Sequence, residues 1–347
     1  MIIDCDVHVY PNDGEAIRSR LSQPWKHRFS LRGLLYYKVP AEAAAAAAAQ
    51  AELGRSPEAM RTGHLEKHGI TNALLVPTPH ASANHDPDYA AAVASAYNEW
   101  LADEWLSKER NPDGAFKGTI CVSHQDPAAA AKEIGRWAEH PHMVQVLMES
   151  GARAPFGQRH YYPIYEACSA AGLPLVIHPA GEAMGVNKPV WIGYPAHYLE
   201  YCASFSFAMQ SHLTSLLTEG VFERFPNLRV VIAEGGIFWL APMLWRLDQN
   251  WKALRSEVPW VKKLPSHYVM EHVRFATELD KGPSDAAAWE VLDMADAGRL
   301  LMFASNVPDG GPLDMKAALS QIPESRRGRI LYDNAKEWYG KRVMALG

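Results

Sequence analysis

The sequence predicts an α/β fold, a distorted (β/α)8 TIM barrel with a helical insertion after the first strand. Three observations predict it. Eight short apolar runs rich in β-branched residues recur along the 347 residues, with Ala-rich helical stretches between them. Strands that alternate with helices argue for a parallel sheet. The length suits eight such units closed into a barrel better than an open doubly wound sheet. No G-x-G-x-x-G follows any of the runs, which weighs against a nucleotide-dependent enzyme.

The strands are read at 2–8 (IIDCDVH), 72–78 (NALLVPT), 118–123 (GTICVS), 144–149 (VQVLME), 175–179 (LVIHP), 230–235 (VVIAEG), 273–277 (VRFAT) and 300–305 (LLMFAS). Helices are read at 87–107, 127–139, 160–171, 206–223 and 239–253. Residues 12–66, with the tract AEAAAAAAAQAELG, form the insertion after strand 1. Residues 180–205 and 254–271, rich in Pro, Trp and Tyr, read as long loops of the kind that build or cover an active site. No repeat or linker divides the chain, so 1–347 is read as one domain.

Composition narrows the function. A net charge of -5 gives no support to nucleic-acid binding, and no apolar run approaches the length of a membrane span. No basic, then apolar, secretory signal is visible at the start. Cys5, Cys121, Cys168 and Cys202 show no C-x-x-C spacing. That favours reduced thiols, hence a cytoplasmic protein, over a disulfide frame or a cysteine zinc site.

Barrel chemistry gathers at the C-terminal ends of the strands. Asp6 and His8, two apart, share a face of strand 1. His80, Asn84 and His85 follow strand 2, His124 follows strand 3, and Glu149 ends strand 4. His178 ends strand 5, Glu234 ends strand 6, Glu278 follows strand 7 and Asn306 follows strand 8. Any one of these is an ordinary structural residue. Together they would converge on one cavity. Asp6, His8 and His178 supply oxygen and nitrogen ligands for a divalent metal, zinc first and manganese second. His80, Asn84 and His124 are read as substrate-binding, and Glu234 and Asn306 as catalytic. His212 lies in a helix and reads as a packed histidine, and His64 carries no positional argument. Trp191, Tyr194, Tyr198, Tyr201 and Phe205 would wall an aromatic pocket or pack a dimer interface.

The motifs DCDVHVYP, YYPIYEACSAAGLPLVIHP, GVFERFPNLRVVIAEGG, LLMFASNVPDG and RILYDNAKEWYG resemble those of the amidohydrolase superfamily. The resemblance is to the branch that includes aminocarboxymuconate-semialdehyde decarboxylase and the γ-resorcylate and 5-carboxyvanillate decarboxylases. It implies a metal at Asp6, His8 and His178, and a homodimer. Two positions depart from the pattern. Asn306 stands where the family carries an aspartate, and an amide brings neither charge nor basicity. Glu234 stands where the decarboxylases carry a histidine, as a ligand, an acid/base or a partner orienting His178. The expected function is a metal-dependent enzyme acting on a small carboxylated aromatic or cyclic compound, by hydrolysis or by non-oxidative decarboxylation. The alternatives are a metal-independent, lactonase-like hydrolase and an inactive barrel that binds a small molecule, both motivated by Asn306.

Overall fold

The computed structural model describes residues 1–30, 41–189, 193–278 and 286–344. Trp191 lies outside them. One parallel sheet runs in the order β1 to β8: Ile3–His8, Asn72–Val76, Phe116–Cys121, Met143–Glu149, Leu175–His178, Val230–Ala233, Val273–Thr277 and Leu301–Phe303. Just past β8 the ring is drawn together. His8 N–H donates to Val307 O at 2.8 Å and Asn306 N–H donates to Asp6 O at 3.0 Å. The eight strands agree with those read from the sequence, to within a few residues at their ends.

The strands are buried on both faces because helices cover the outside of the ring and the inner side chains fill its centre. Each large aliphatic side chain so removed from water contributes about 1.5–3 kcal/mol. Two helix starts come from Asp-Pro pairs. Asp86 caps Pro87–Glu104 and Asp126 caps Pro127–Trp137, each carboxylate accepting from two free N–H groups of the first turn.

Two stretches read as loops are partly helical. Helix Tyr198–Thr218 begins eight residues before the predicted 206, and Pro265–His272 is a helix at the end of the predicted loop 254–271. Tyr201, read as a wall of the loop after strand 5, lies on the buried face of the first helix, and Tyr268 on that of the second. The insertion holds the short helices Glu15–Arg18, Trp25–Arg28 and Pro57–Met60, the Ala-rich helix Ala41–Gln50 and a π-helical turn, Arg61–Glu66.

Candidate metal centre

Asp6 and His8 at the end of β1, His178 at the end of β5 and Glu234 just past β6 each offer one ligand atom, and these four atoms lie within 4.8 Å of one another. A one-residue bulge between Asp4 and Val7 allows this. Strict alternation would put Asp4 on the same face as Asp6 and His8. The bulge instead sends Asp4 to other partners while Asp6 and His8 reach the cluster. His8 Nε2 is 3.8 Å from Asp6 Oδ1 and 3.8 Å from Glu234 Oε1. His178 Nε2 is 3.5 Å from Asp6 Oδ2 and 3.5 Å from Glu234 Oε2.

Those distances are too long for hydrogen bonds. Both carboxylate oxygens of Asp6, both ring nitrogens of His8 and Nε2 of His178 are buried without a hydrogen-bond partner among the described residues. Orphaned polar atoms gathered so closely are costly unless a further group satisfies them. A divalent cation fits this donor set. His178 is prepared for it: Nδ1 lies 3.0 Å from Pro179 O, so Nδ1–H donates there and the Nε2 lone pair faces the cluster. Burial opposes a charged His8, but Asp309, Glu234 and Asp6 outweigh it and raise its pKa to about 10. Burial likewise opposes a charged His178, and Asp6 and Glu234 carry its pKa upward. The field of these carboxylates is one that holds positive charge, and a metal cation and a proton compete for it.

Strain marks the same end. Among the described residues, four of the five non-glycine residues with positive φ lie beside strand ends or in the loop after β5: His80 (49°), Ala183 (55°), Glu234 (51°) and Asn306 (54°). Such backbone persists where surrounding structure enforces it, and it gathers at functional sites. Asn306 Oδ1 is buried and also lacks a partner among the described residues.

The other sequence candidates divide. His80 and Asn84 line a cavity of about 480 Å³ with Tyr10, Phe29, Arg55 and Asp309, a size that takes a small ligand. His124 is buried, and its Nε2 lies 3.0 Å from the carbonyls of both Glu149 and Gly151, so that nitrogen is engaged by the wall. Glu149 accepts from Ser82 N at 3.2 Å and from the Ser82 hydroxyl. His85 is exposed. Tyr201 packs with Ala83 and Met184, with Tyr198 and Phe205 against them, and Tyr194 is exposed.

Three residues escaped sequence reasoning. Glu182, in the loop after β5, is 1% exposed, and neither carboxyl oxygen has a partner among the described residues. Burial pushes its pKa up to about 8; the backbone and His178 oppose this, and Glu149 and Glu234 assist it. Its loop is held by close backbone contacts. A Cβ on Gly151 would lie 2.2 Å from Gly181 O, and one on Gly185 would lie 1.8 Å from Ala83 O. Asp309 accepts from the Tyr10 hydroxyl and is 4.0 Å from His8 Nδ1. His64 pairs with Asp4 at 2.8 Å. Position after His178 and after Asn306 was the available signal for Glu182 and Asp309. His64 had none.

Comparison with known proteins agrees with this architecture. The chain is 22% identical over 216 residues to the γ-resorcylate decarboxylase of Polaromonas sp. and 25% identical over 219 residues to that of Rhodococcus jostii. Each match takes in 59% of this chain and 64% of the relative's length. In fold it is similar to the 5-carboxyvanillate decarboxylase of Novosphingobium aromaticivorans complexed with manganese and a nitrobenzoic acid, with TM-score 0.75, 24% identity and 98% and 96% of the two chains covered. It is also similar to a dihydroxybenzoic acid decarboxylase of Polaromonas sp. with bound manganese and 2-nitroresorcinol, with TM-score 0.72, 19% identity and 97% and 96% covered. A sequence model of the amidohydrolase family matches residues 3–341, and the chain belongs to that family.

Proposed function

We propose that the chain is a metal-dependent, non-oxidative decarboxylase of a small carboxylated aromatic compound. One observation carries the reading: Asp6, His8, His178 and Glu234 converge on one point, and the facing atoms of the buried Asp6, His8 and His178 lack hydrogen-bond partners among the described residues, in a chain whose relatives are named as decarboxylases. Asp6, His8 and His178 would hold the cation, with Glu234 and Asn306 at its edge. When bound, the cation supplies the positive charge that receives the substrate carboxylate and a neighbouring oxygen. Manganese is the first ion to test, because the two similar crystal structures hold it. Zinc, expected from the donor types, is the second.

Glu234 is the most open member of the cluster, with 15% side-chain exposure against 1% for His8 and 3% for His178. We assign it the proton. As the acid it protonates the ring carbon that bears the carboxylate. The C–C bond then breaks, its electron pair returns to the ring and carbon dioxide leaves. Solvent restores the Glu234 proton. His80 and Asn84 on the cavity lining orient the ring, and His124 braces the wall behind them. The single-domain reading of 1–347 goes with one continuous sheet. Exposed Leu199, Phe207 and Trp245 support a homodimer, and the free cysteines support a reducing, cytoplasmic setting.

The test incubates the manganese-loaded protein with γ-resorcylate and with 5-carboxyvanillate and follows substrate loss and carbon dioxide release. Turnover that a chelator stops and manganese restores is the expected result. Bound metal with hydrolysis of an aryl ester or lactone, and no decarboxylation, would replace this reading with the hydrolase one. Asn306, lacking charge, is the observation that favours a metal-free barrel. No metal uptake and no turnover would move the assignment there.

A further inference from the structure

Asp4, His64 and Ser305 form a second buried cluster beside the metal centre, at 0%, 1% and 3% exposure. Asp4 Oδ2 lies 2.8 Å from His64 Nε2. Its Oδ1 accepts from Ser305 N at 2.9 Å and, more weakly, from Asp6 N at 3.4 Å. Ser305 Oγ lies 3.4 Å from His64 Nε2 and accepts from Val307 N at 3.2 Å. The residue types are those of a nucleophilic triad, but the geometry is not. A proton relay needs the carboxylate and the hydroxyl on opposite ring nitrogens. Here both meet Nε2, and the group is sealed from substrate.

The cluster instead reaches three segments. Asp4 lies on β1, Ser305 just past β8, and His64 on the π-helical turn Arg61–Glu66 that ends the insertion. Ser305 and Val307 flank Asn306, whose φ is 54°. Asn306 N–H itself donates to Asp6 O at 3.0 Å. The Asp4 carboxylate therefore fixes the distance between the strand carrying Asp6 and the turn carrying Asn306. It does so at the seam where the ring closes through few backbone bonds.

We infer that Asp4, His64 and Ser305 are positioning residues for the metal centre, clamping the β1 and β8 ends so that Asp6 and Asn306 keep their places around the cation. The inference rests on the metal reading of the proposed function. Groups that hold metal ligands in place commonly change affinity by about 10–100-fold when removed. The His64 role is donation from Nε2, and a glutamine amide placed there can reproduce it.

The experiment measures manganese affinity of the full chain by calorimetric titration, for the native protein and for His64→Leu, His64→Gln, Asp4→Asn and Ser305→Ala. Melting of each protein in chelator is recorded alongside. His64→Leu and Asp4→Asn are expected to weaken manganese by about 10–100-fold. His64→Gln is expected to stay close to native, and Ser305→Ala, the mildest change, to fall between. Lower melting temperatures in chelator with native manganese affinity throughout would overturn the clamp. If His64→Leu fails to fold, Ser305→Ala and the His64→Gln comparison decide in the same terms. A native protein that takes up no manganese would fail the metal reading, and the clamp with it. Native uptake with unchanged variants would fail the clamp alone.

Discussion

Two sets of histidines stand at one end of this barrel and are treated in opposite ways. His8 and His178 each turn Nε2 into the cluster, where neither has a hydrogen-bond partner among the described residues, while His178 Nδ1 meets the neighbouring Pro179 carbonyl that holds the ring. His212, just outside the wall, is fully engaged. Nδ1 accepts from Phe156 N at 3.2 Å, Nε2–H donates to Ser150 O at 2.8 Å, and the ring stacks on Phe156 at 3.8 Å. All three are buried. Burial therefore does not separate a candidate ligand from a structural histidine; the state of its nitrogens does. A buried nitrogen left open is a cost that something else must offset.

The largest expected effect comes from removing a member of the open set. His178→Ala takes away a donor and the ring that Pro179 O orients. Manganese affinity should fall by more than the roughly 100-fold upper range for outer partners, and decarboxylation should vanish with it. Metal content after gel filtration checks this. Near-native manganese in the variant would show that open nitrogens are no guide to ligands here.

The matching change in the closed set should act on stability instead. His212→Leu strands Phe156 N–H and Ser150 C=O, each buried. Leaving a buried polar group unsatisfied costs about 1–3 kcal/mol, so urea unfolding should shift to lower concentration while manganese affinity stays native. A variant with weakened manganese and an unchanged midpoint would erase the distinction.

How much of this was legible in the sequence differs by level. The eight strands were, because each is a short apolar run between helical stretches, and Asp-Pro announces two of those helices. The cluster positions were legible too, because Asp6, His8, His178 and Glu234 all fall at strand ends. Which of the polar strand-end residues stay open was not. His124 and His178 read alike in sequence, yet one Nε2 meets two backbone carbonyls and the other meets none. That difference depends on how loops from other strands fold back, as Gly151 does against Gly181. Asp4 was hidden for a second reason. Period-2 alternation places it with Asp6, and only the bulge turns it toward His64, which is 60 residues away in the chain.

Asn306 sharpens the comparison at the open site. Its amide oxygen lacks a partner among the described residues, as the cluster atoms of Asp6, His8 and His178 do, but it brings no charge. Asn306→Asp adds an anion beside Asp6 without adding bulk. Manganese should bind about tenfold tighter, a gain of about 1.4 kcal/mol. The titration that reads the clamp variants also reads this one. Weaker binding would mean that repulsion from Asp6 and Glu234 exceeds attraction to the cation.

The smallest effect is also the most specific to the closed set. Burial drives the His212 pKa down from 6.5 to about 3, with help from His124 and against the Ser150 bond. The folded chain therefore keeps this ring neutral where the unfolded chain protonates it. Unfolded protein binds more protons through that window, so stability is present above about pH 6.5 and is lost as pH falls toward 3. Between pH 7 and pH 6 one such group contributes about 0.7 kcal/mol of the loss. Unfolding free energies of the chelated protein, from urea titrations at the two pH values, should differ by that much more in the native chain than in His212→Leu. Equal pH dependence in both would mean that His212 takes up its proton without leaving its two backbone partners, and the closed set would then be less rigid than its hydrogen bonds imply.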